Sequence, residues 1–313
     1  AGHGNLSPCL SWTIMAPLVR FLGANGFPCG AYRPVLERLR ASGLDVTTSD
    51  AWRHYTGEAT WRKMADGLIE DTERQASKGR VVGVGHSFGG ALLCLAAAQR
   101  PDLFERLIIV DPPMFGMPTR VAAAVTRALW PSLFHRFHPA VQGARRRRQE
   151  WATREEAGRH LFSRKLFRNF HEESHAAFLE HALLDAPGGG VTLVIPREVE
   201  AAVFETFPAD VWPFSARLGQ YDARTPGVVL VAAHGSQIPA RELPGLRASL
   251  PSLRFATYPG GHFWALEDPE AFSKCILPLI LGDVSALEDM AGAGDPSPAG
   301  KAKGSSHRAV ASK

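Results

Sequence analysis

Gly85-His86-Ser87-Phe88-Gly89-Gly90 places a serine between glycines two positions away on either side. The short apolar run Val81–Val84 precedes it, and the long apolar stretch Ala91–Ala98 follows. Strand, tight turn and helix in that order describe a nucleophile elbow. Such a turn holds the serine in a strained conformation at the end of the strand, where side chains in place of the glycines would collide. The helix starting at Phe88 aims its first amides and its dipole at negative charge developing on the reacting group. The chemistry in view is acyl transfer, and it needs a base. Of the 12 histidines, His262 stands out in Gly260-Gly261-His262-Phe263, directly after the last predicted strand. There it can act as general base and then general acid. His54, His135, His138, His160, His171, His175 and His181 have no such placement. Asn25-Gly26-Phe27-Pro28 follows another strand, in the position that supplies a second oxyanion amide. The backbone N–H groups of Phe27 and Phe88 are assigned to that hole, with Asn25 and Gly26 against the substrate.

The elements that must hold these residues alternate along the chain. Strands are predicted at 18–22, 44–48, 81–85, 107–110, 228–231 and 253–257, with helices at 32–42, 61–75 and 88–100 between them. Near-continuous Val/Ile/Leu runs separated by helices mean a parallel sheet covered on both faces, with right-handed crossovers. The fold class is α/β. Between 112 and 226 the alternation stops, and a helical pattern at 121–129, 154–170, 174–184 and 196–204 predicts an inserted helical cap. Residues 1–111 and 227–282 form the core of this reading. Residues 283–313, rich in Gly, Ala, Ser, Pro and Lys, are expected to be a disordered tail, and 1–16 a loose lead-in or first edge strand.

The 313 residues are 45% hydrophobic and 21% charged, the composition of an ordinary globular protein. That excludes collagen, mucin, a long coiled coil and whole-chain disorder. A net charge of +4 and a pI near 9.0 are too mild and too spread to mark a nucleic-acid binder. Cys9, Cys29, Cys94 and Cys275 lie far apart without a Cys-x-x-Cys pair, against a zinc knuckle or disulfide scaffold. They favour a reducing, cytoplasmic setting. No stretch approaches the roughly 18 to 20 apolar residues of a membrane span, and no signal-peptide pattern opens the chain. Metal-ligand spacing is lacking, and no nucleotide loop or haem motif is present, so no metal and no cofactor are expected.

From about Val19 to Leu281 the chain resembles the α/β-hydrolase superfamily. The resemblance rests on Phe21–Pro28, Gly85–Gly90, Val110-Asp111-Pro112 and Gly261-His262-Phe263 with Leu266-Glu267-Asp268-Pro269 behind it. More narrowly it is similar to bacterial serine hydrolases with a His-Ala-Asn-Gly-Phe-Pro loop, except that Gly23 replaces the loop histidine that braces the oxyanion turn. The resemblance implies an α/β-hydrolase fold and a nucleophile–acid–histidine order. The superfamily's usual acid position, after the strand at 228–231, reads His234-Gly235-Ser236-Gln237-Ile238-Pro239 and holds no carboxylate. Its other acid position is Asp111. Glu267, or a dyad assisted by water or Gln237, remains open beside it. Serine at the elbow separates this chain from dehalogenases and epoxide hydrolases resembling the fold, which need aspartate there.

The insertion should decide the substrate. Met114, Phe115, Met117, Trp130, Phe134 and Phe137 offer an adaptable apolar wall, and Trp264 lies two residues past His262. Arg145-Arg146-Arg147-Arg148 reads as solvated helix surface, since four adjacent residues spread around a helix. The function expected is a serine hydrolase of small-molecule carboxylic esters with short to medium apolar acyl groups. The alternatives are a C–C bond hydrolase or acyltransferase using the same Ser–His pair, or a catalytically degenerate hydrolase fold that binds a ligand.

Overall fold

In the computed structural model, residues 17–57, 61–76, 79–130, 138–206 and 227–287 are described. β1 (Leu18–Leu22) is buried along its whole length, as a strand covered on both faces must be. A single 3-10 turn at Cys29–Tyr32 leads into α1 (Arg33–Ala41), which buries Val35, Leu36 and Leu39. Gly43, with φ at 85°, ends it in the left-handed conformation that glycine adopts without strain. β2 (Asp45–Thr48), α2 (Trp61–Ala76), β3 (Val81–His86), α3 (Phe88–Gln99) and β4 (Phe104–Val110) follow. Every residue of α3 from Phe88 to Ala98 is buried, because the helix packs on β3 and β4 and is covered by α2.

The insertion carries α4 (Met117–Leu129), α5 (Pro139–Arg146), β5 (Glu150–Trp151), α6 (Arg154–Phe162), α7 (Glu172–His181), β6 (Leu183–Asp185), β7 (Val191–Leu193) and α8 (Arg197–Glu205). The core resumes with β8 (Gly227–His234), α9 (Leu243–Ser249), β9 (Leu253–Gly261), the short α10 (Trp264–Glu267) and α11 (Pro269–Leu281). The main sheet runs β2-β1-β3-β4-β8-β9, and each neighbouring pair is parallel. β1 lies between β2 and β3, so the chain leaves it first to one side and later continues on the other. A crevice opens at the carboxyl ends of strands where such a reversal occurs. The register Leu22↔Gly85 and His86↔Val110 brings the ends of β1, β3 and β4 to that one edge.

Two expectations need correction. The insertion is not helical throughout, because β5, β7 and β6 form a small antiparallel sheet. The helix predicted at 174–184 stops at His181, and Leu183 pairs with Leu193. Strands of two and three residues are too short to show a period of two. The helix predicted at 154–170 likewise ends at Phe162. The core also extends past residue 282: Leu287 is only 8% exposed and belongs to the core cluster, with Val284 and Ala286 packed beside it. Residues 1–16 and 288–313, and with them most of the expected lead-in and tail, lie outside the described residues.

Candidate active site

Ser87 leaves the end of β3 with φ 55° and ψ −120°, a conformation that costs about 1–3 kcal/mol for a non-glycine residue. The neighbouring glycines are what make it possible. A Cβ on Gly85 would stand 2.6 Å from the Gly90 backbone, and one on Gly89 would stand 2.7 Å from the Gly23 carbonyl. The Ser87 amide donates to Val110 at 2.7 Å, which ties the turn to β4. Phe88 is the first residue of α3, so its amide has no acceptor within the helix.

Asp111 leaves the adjacent strand end, also at positive φ (43°), and is fully buried. Its carboxylate accepts from His262 Nδ1 at 2.6 Å, Ser236 Oγ at 2.5 Å, the Gln237 amide at 3.0 Å and the Ala232 amide at 3.1 Å. Burial pushes this carboxyl upward, but the hydrogen bonds from His262, Ser236 and Gln237 outweigh it and hold the group below the ordinary range. A carboxylate only accepts, so His262 carries its proton on Nδ1 and keeps Nε2 as a base. Ser87 and His262 line one cavity. Glu267, the other carboxylate considered, is raised by its own burial, and the His262 ring proton goes to Asp111. Gln237 meets the carboxylate through its backbone. The stretch Gly235–Pro239 after β8, which has no acid, thus supplies two donors to an acid one strand away.

The turn after β1 departs from expectation in one atom. The Phe27 amide, assigned to the oxyanion from sequence, donates instead to Ala24 O at 3.1 Å. That bond closes a turn centred on Asn25 and Gly26. Gly26 has φ 81°, as the third position of a type II turn requires. The Asn25 amide makes no hydrogen bond among the described residues, and Asn25 lines the cavity. Its side chain donates to the Glu200 carbonyl at 3.0 Å.

Tyr32 and His86 are among the residues that sequence reasoning missed. The Tyr32 hydroxyl accepts the Ala24 amide at 3.1 Å and meets His86 Nδ1 at 2.7 Å. His86 Nε2 meets the carbonyl of His262 at 2.7 Å. A carbonyl cannot donate, so Nε2 bears the proton and Tyr32 donates to Nδ1. Burial, with the neighbouring His262 ring, lowers His86 to about 3 and keeps it neutral. The Tyr32 ring also fills the space beside Gly23, where a Cβ would stand 2.9 Å from it and from the Phe27 carbonyl. The only sequence signal for His86 was its position inside the serine motif.

The cavity over Ser87 measures about 470 Å³. Trp61, Phe115, Leu166, Val203, Phe204 and Phe263 give it apolar walls, and Asn25, Arg120, Arg147, Glu200 and Gln237 add polar groups. Of the residues expected at the substrate, Asn25 and Phe115 line it. Gly26 is not among the residues that line it and lies against the Glu200 carboxylate. Met114 packs against the core, and Trp130 is exposed. Trp264 stacks on Tyr258 at 5.2 Å between ring centroids. Phe134 and Phe137 fall outside the described residues. The arginine run is solvated except at Arg147. α5 ends at Arg146, and the extended backbone of Arg147 turns that side chain inward. Among the described residues, no group of three His, Cys, Asp or Glu side chains is placed to hold a metal, and no helix is long and apolar enough to cross a membrane.

An elbow serine, a buried carboxylate–histidine pair and a six-stranded parallel sheet define a hydrolase-type scaffold. The chain belongs to the alpha/beta hydrolase family, whose model matches residues 2–274. It is similar to the solved structure of a peroxisomal alpha-beta-hydrolase from Saccharomyces cerevisiae, at 15% identity and TM-score 0.65 over 87% of this chain and 79% of that one. The structure of E-2-(acetamidomethylene)succinate hydrolase is similar at 18% identity and TM-score 0.63, over 85% and 91%. A thermophilic esterase from Thermogutta terrifontis is similar at 18% identity and TM-score 0.56, over 86% and 91%. No curated protein sequence matches the chain.

Proposed function

We propose that the protein is a serine hydrolase that cleaves small-molecule carboxylic esters through an acyl-enzyme. The observation that carries this reading is the 2.6 Å contact between His262 Nδ1 and Asp111, on the wall of the cavity that Ser87 lines. Ser87 Oγ attacks the acyl carbon as His262 Nε2 takes its proton. The carbon–oxygen bond to the alcohol then breaks, and the alcohol leaves with that proton. Water, deprotonated by the same nitrogen, attacks the acyl-enzyme, and the acid departs as Ser87 regains its hydrogen. Asp111 holds the imidazole in the required tautomer and stabilises the imidazolium. The amides of Phe88 and Asn25 receive the oxyanion; Asn25 takes the role assigned to Phe27 from sequence, because the Phe27 N–H is already spent on Ala24. Among similar structures are an esterase and a hydrolase of a substituted succinate, which suits hydrolysis at this site.

The test is hydrolysis of a 4-nitrophenyl acyl series by the wild type and by Ser87→Ala, with fluorophosphonate labelling of Ser87. The reading expects turnover lost and labelling abolished in the variant. Full turnover by Ser87→Ala would sink it. A wild type that is neither labelled nor active would favour a ligand-binding role for the fold.

A further inference from the structure

Arg147 is an unusual residue to find on an apolar cavity wall. Its neighbours Arg145, Arg146 and Arg148 are exposed, whereas its own side chain is only 19% exposed. Nη2 lies 2.5 Å from Oε2 of Glu200. The two groups form a close ion pair. Arg147 Nε is buried and has no hydrogen-bond partner among the described residues. A guanidinium carries five N–H donors in a planar fork, so a carboxylate at one edge leaves donors unused. Burial lowers Arg147 and raises Glu200 from their ordinary values, as expected where neither charge fully compensates the other.

The pair is also anchored. The Glu200 backbone carbonyl accepts from Asn25 Nδ2 at 3.0 Å. Its carboxyl lies so close to Gly26 that a Cβ there would stand 3.0 Å from it. The guanidinium is therefore held on the oxyanion-turn side of the cavity. Arg147 and Glu200 both line the cavity that Ser87 lines. Cations in a water-poor cavity are costly unless an anion meets them with hydrogen bonds, and planar bidentate pairing with a carboxylate is what arginine does best.

We propose that Arg147 recognises a carboxylate on the substrate. The compounds cleaved at Ser87 are then anionic acyl compounds, such as half-esters of dicarboxylic acids or esters of hydroxybenzoic acids. This inference rests on the hydrolase reading above and narrows the apolar substrate class expected from sequence.

Matched pairs of esters, one member anionic and the other neutral, test it. Mono-4-nitrophenyl adipate against 4-nitrophenyl hexanoate places the carboxylate on the acyl side. 4-Acetoxybenzoate against its methyl ester places it on the leaving group. The expected result is a preference of at least about tenfold in kcat/KM for the anionic member of one pair, expressed in KM and reduced by added salt. Arg147→Gln should erase that preference and Arg147→Lys should retain part of it. Glu200→Gln, which removes the competing carboxylate and keeps the Asn25 contact, should lower KM for the anionic ester. Equal or better cleavage of both neutral esters by the wild type overturns the inference, as does a preference that survives Arg147→Gln. If Arg147→Gln fails to fold, an unchanged KM in Glu200→Gln overturns it. Fluorophosphonate labelling of Ser87 together with neutral-ester turnover separates the cases, since both persist if only charge recognition is wrong and both fail if the hydrolase reading is wrong.

Discussion

The Tyr32 hydroxyl donates to Nδ1 of His86 at 2.7 Å, and through that bond the turn after β1 is joined to the backbone of His262. One end of the relay is the Ala24 amide on Tyr32 Oη, and the other is His86 Nε2 on the His262 carbonyl. Ala24, Tyr32 and His86 are buried, and each donor meets one acceptor. Tyr32→Phe would leave the Ala24 amide and His86 Nδ1 without partners, a loss of about 1–3 kcal/mol. Because the turn presents the proposed oxyanion amide, kcat should also fall by roughly 10- to 100-fold, with a smaller change in KM. Urea unfolding and ester kinetics on the purified variant check both. Unchanged stability would mean that the relay carries no load.

His86 gives the relay a pH dependence. Its folded-state value, about 3, lies below the ordinary 6.5 because burial, with the His262 ring, disfavours the cation. Between those values the unfolded chain binds a proton that the folded chain refuses, so stability rises with pH through this window and is lost on acidification. The slope should approach about 1.4 kcal/mol per pH unit near pH 4.5–5.5. In His86→Gln it should be visibly flatter over that range. Parallel slopes for the two proteins in urea titrations would show that His86 takes up its proton while folded.

Asp111 acts in a lower window. Its carboxyl is held below the usual range, so its contribution to stability is complete above about pH 4 and is lost as pH falls through the depressed value. Asp111→Asn should remove that acid-side loss. It should also cut kcat by about 10³- to 10⁴-fold, because an amide cannot favour the Nδ1–H tautomer or the imidazolium. Ser236→Ala deletes one of four donors to the carboxylate and should lower kcat far less, by about tenfold. A stopped-assay comparison of the two variants suffices; equal activity in wild type and Asp111→Asn would move the acid elsewhere.

What the sequence made legible follows from how each feature is encoded. Strand–motif–helix continuity exposes Ser87, because the glycines that permit the turn sit within two residues of it. His262 is marked by its strand end, and Asp111 by its place in the family's order. The acid's partners could not be read this way. Ser236 and Gln237 reach Asp111 only because β8 pairs with β4, and register is a tertiary property. Tyr32 and Glu200 are hidden for the same reason, since each meets its partner across a distance in sequence that no local pattern records. Arg147 was misread because its run was treated as one helix, whereas α5 ends at the residue before it. Phe27 lies two residues past Asn25, and the bond to the Ala24 carbonyl is what distinguishes its amide from that of Asn25.

The structure gives a steric reason for the glycine at position 23. A Cβ there would lie 2.9 Å from both the Phe27 carbonyl and the Tyr32 ring. The ring could tilt, but the carbonyl belongs to the turn closed by Phe27 on Ala24 and cannot retreat without opening it. Gly23→Ala should therefore destabilise by about 1–3 kcal/mol and reduce kcat, and the bulkier Gly23→His should do more damage. Gly143→Ala is the internal control. Gly143 sits within α5 with nothing within 4 Å of an added Cβ, so the same substitution should stabilise by up to about 1 kcal/mol through helix propensity. Thermal melts of the pair decide the matter. Tolerance of alanine at 23 comparable to that at 143 would mean that the Phe27 carbonyl and the Tyr32 ring do not restrict that space.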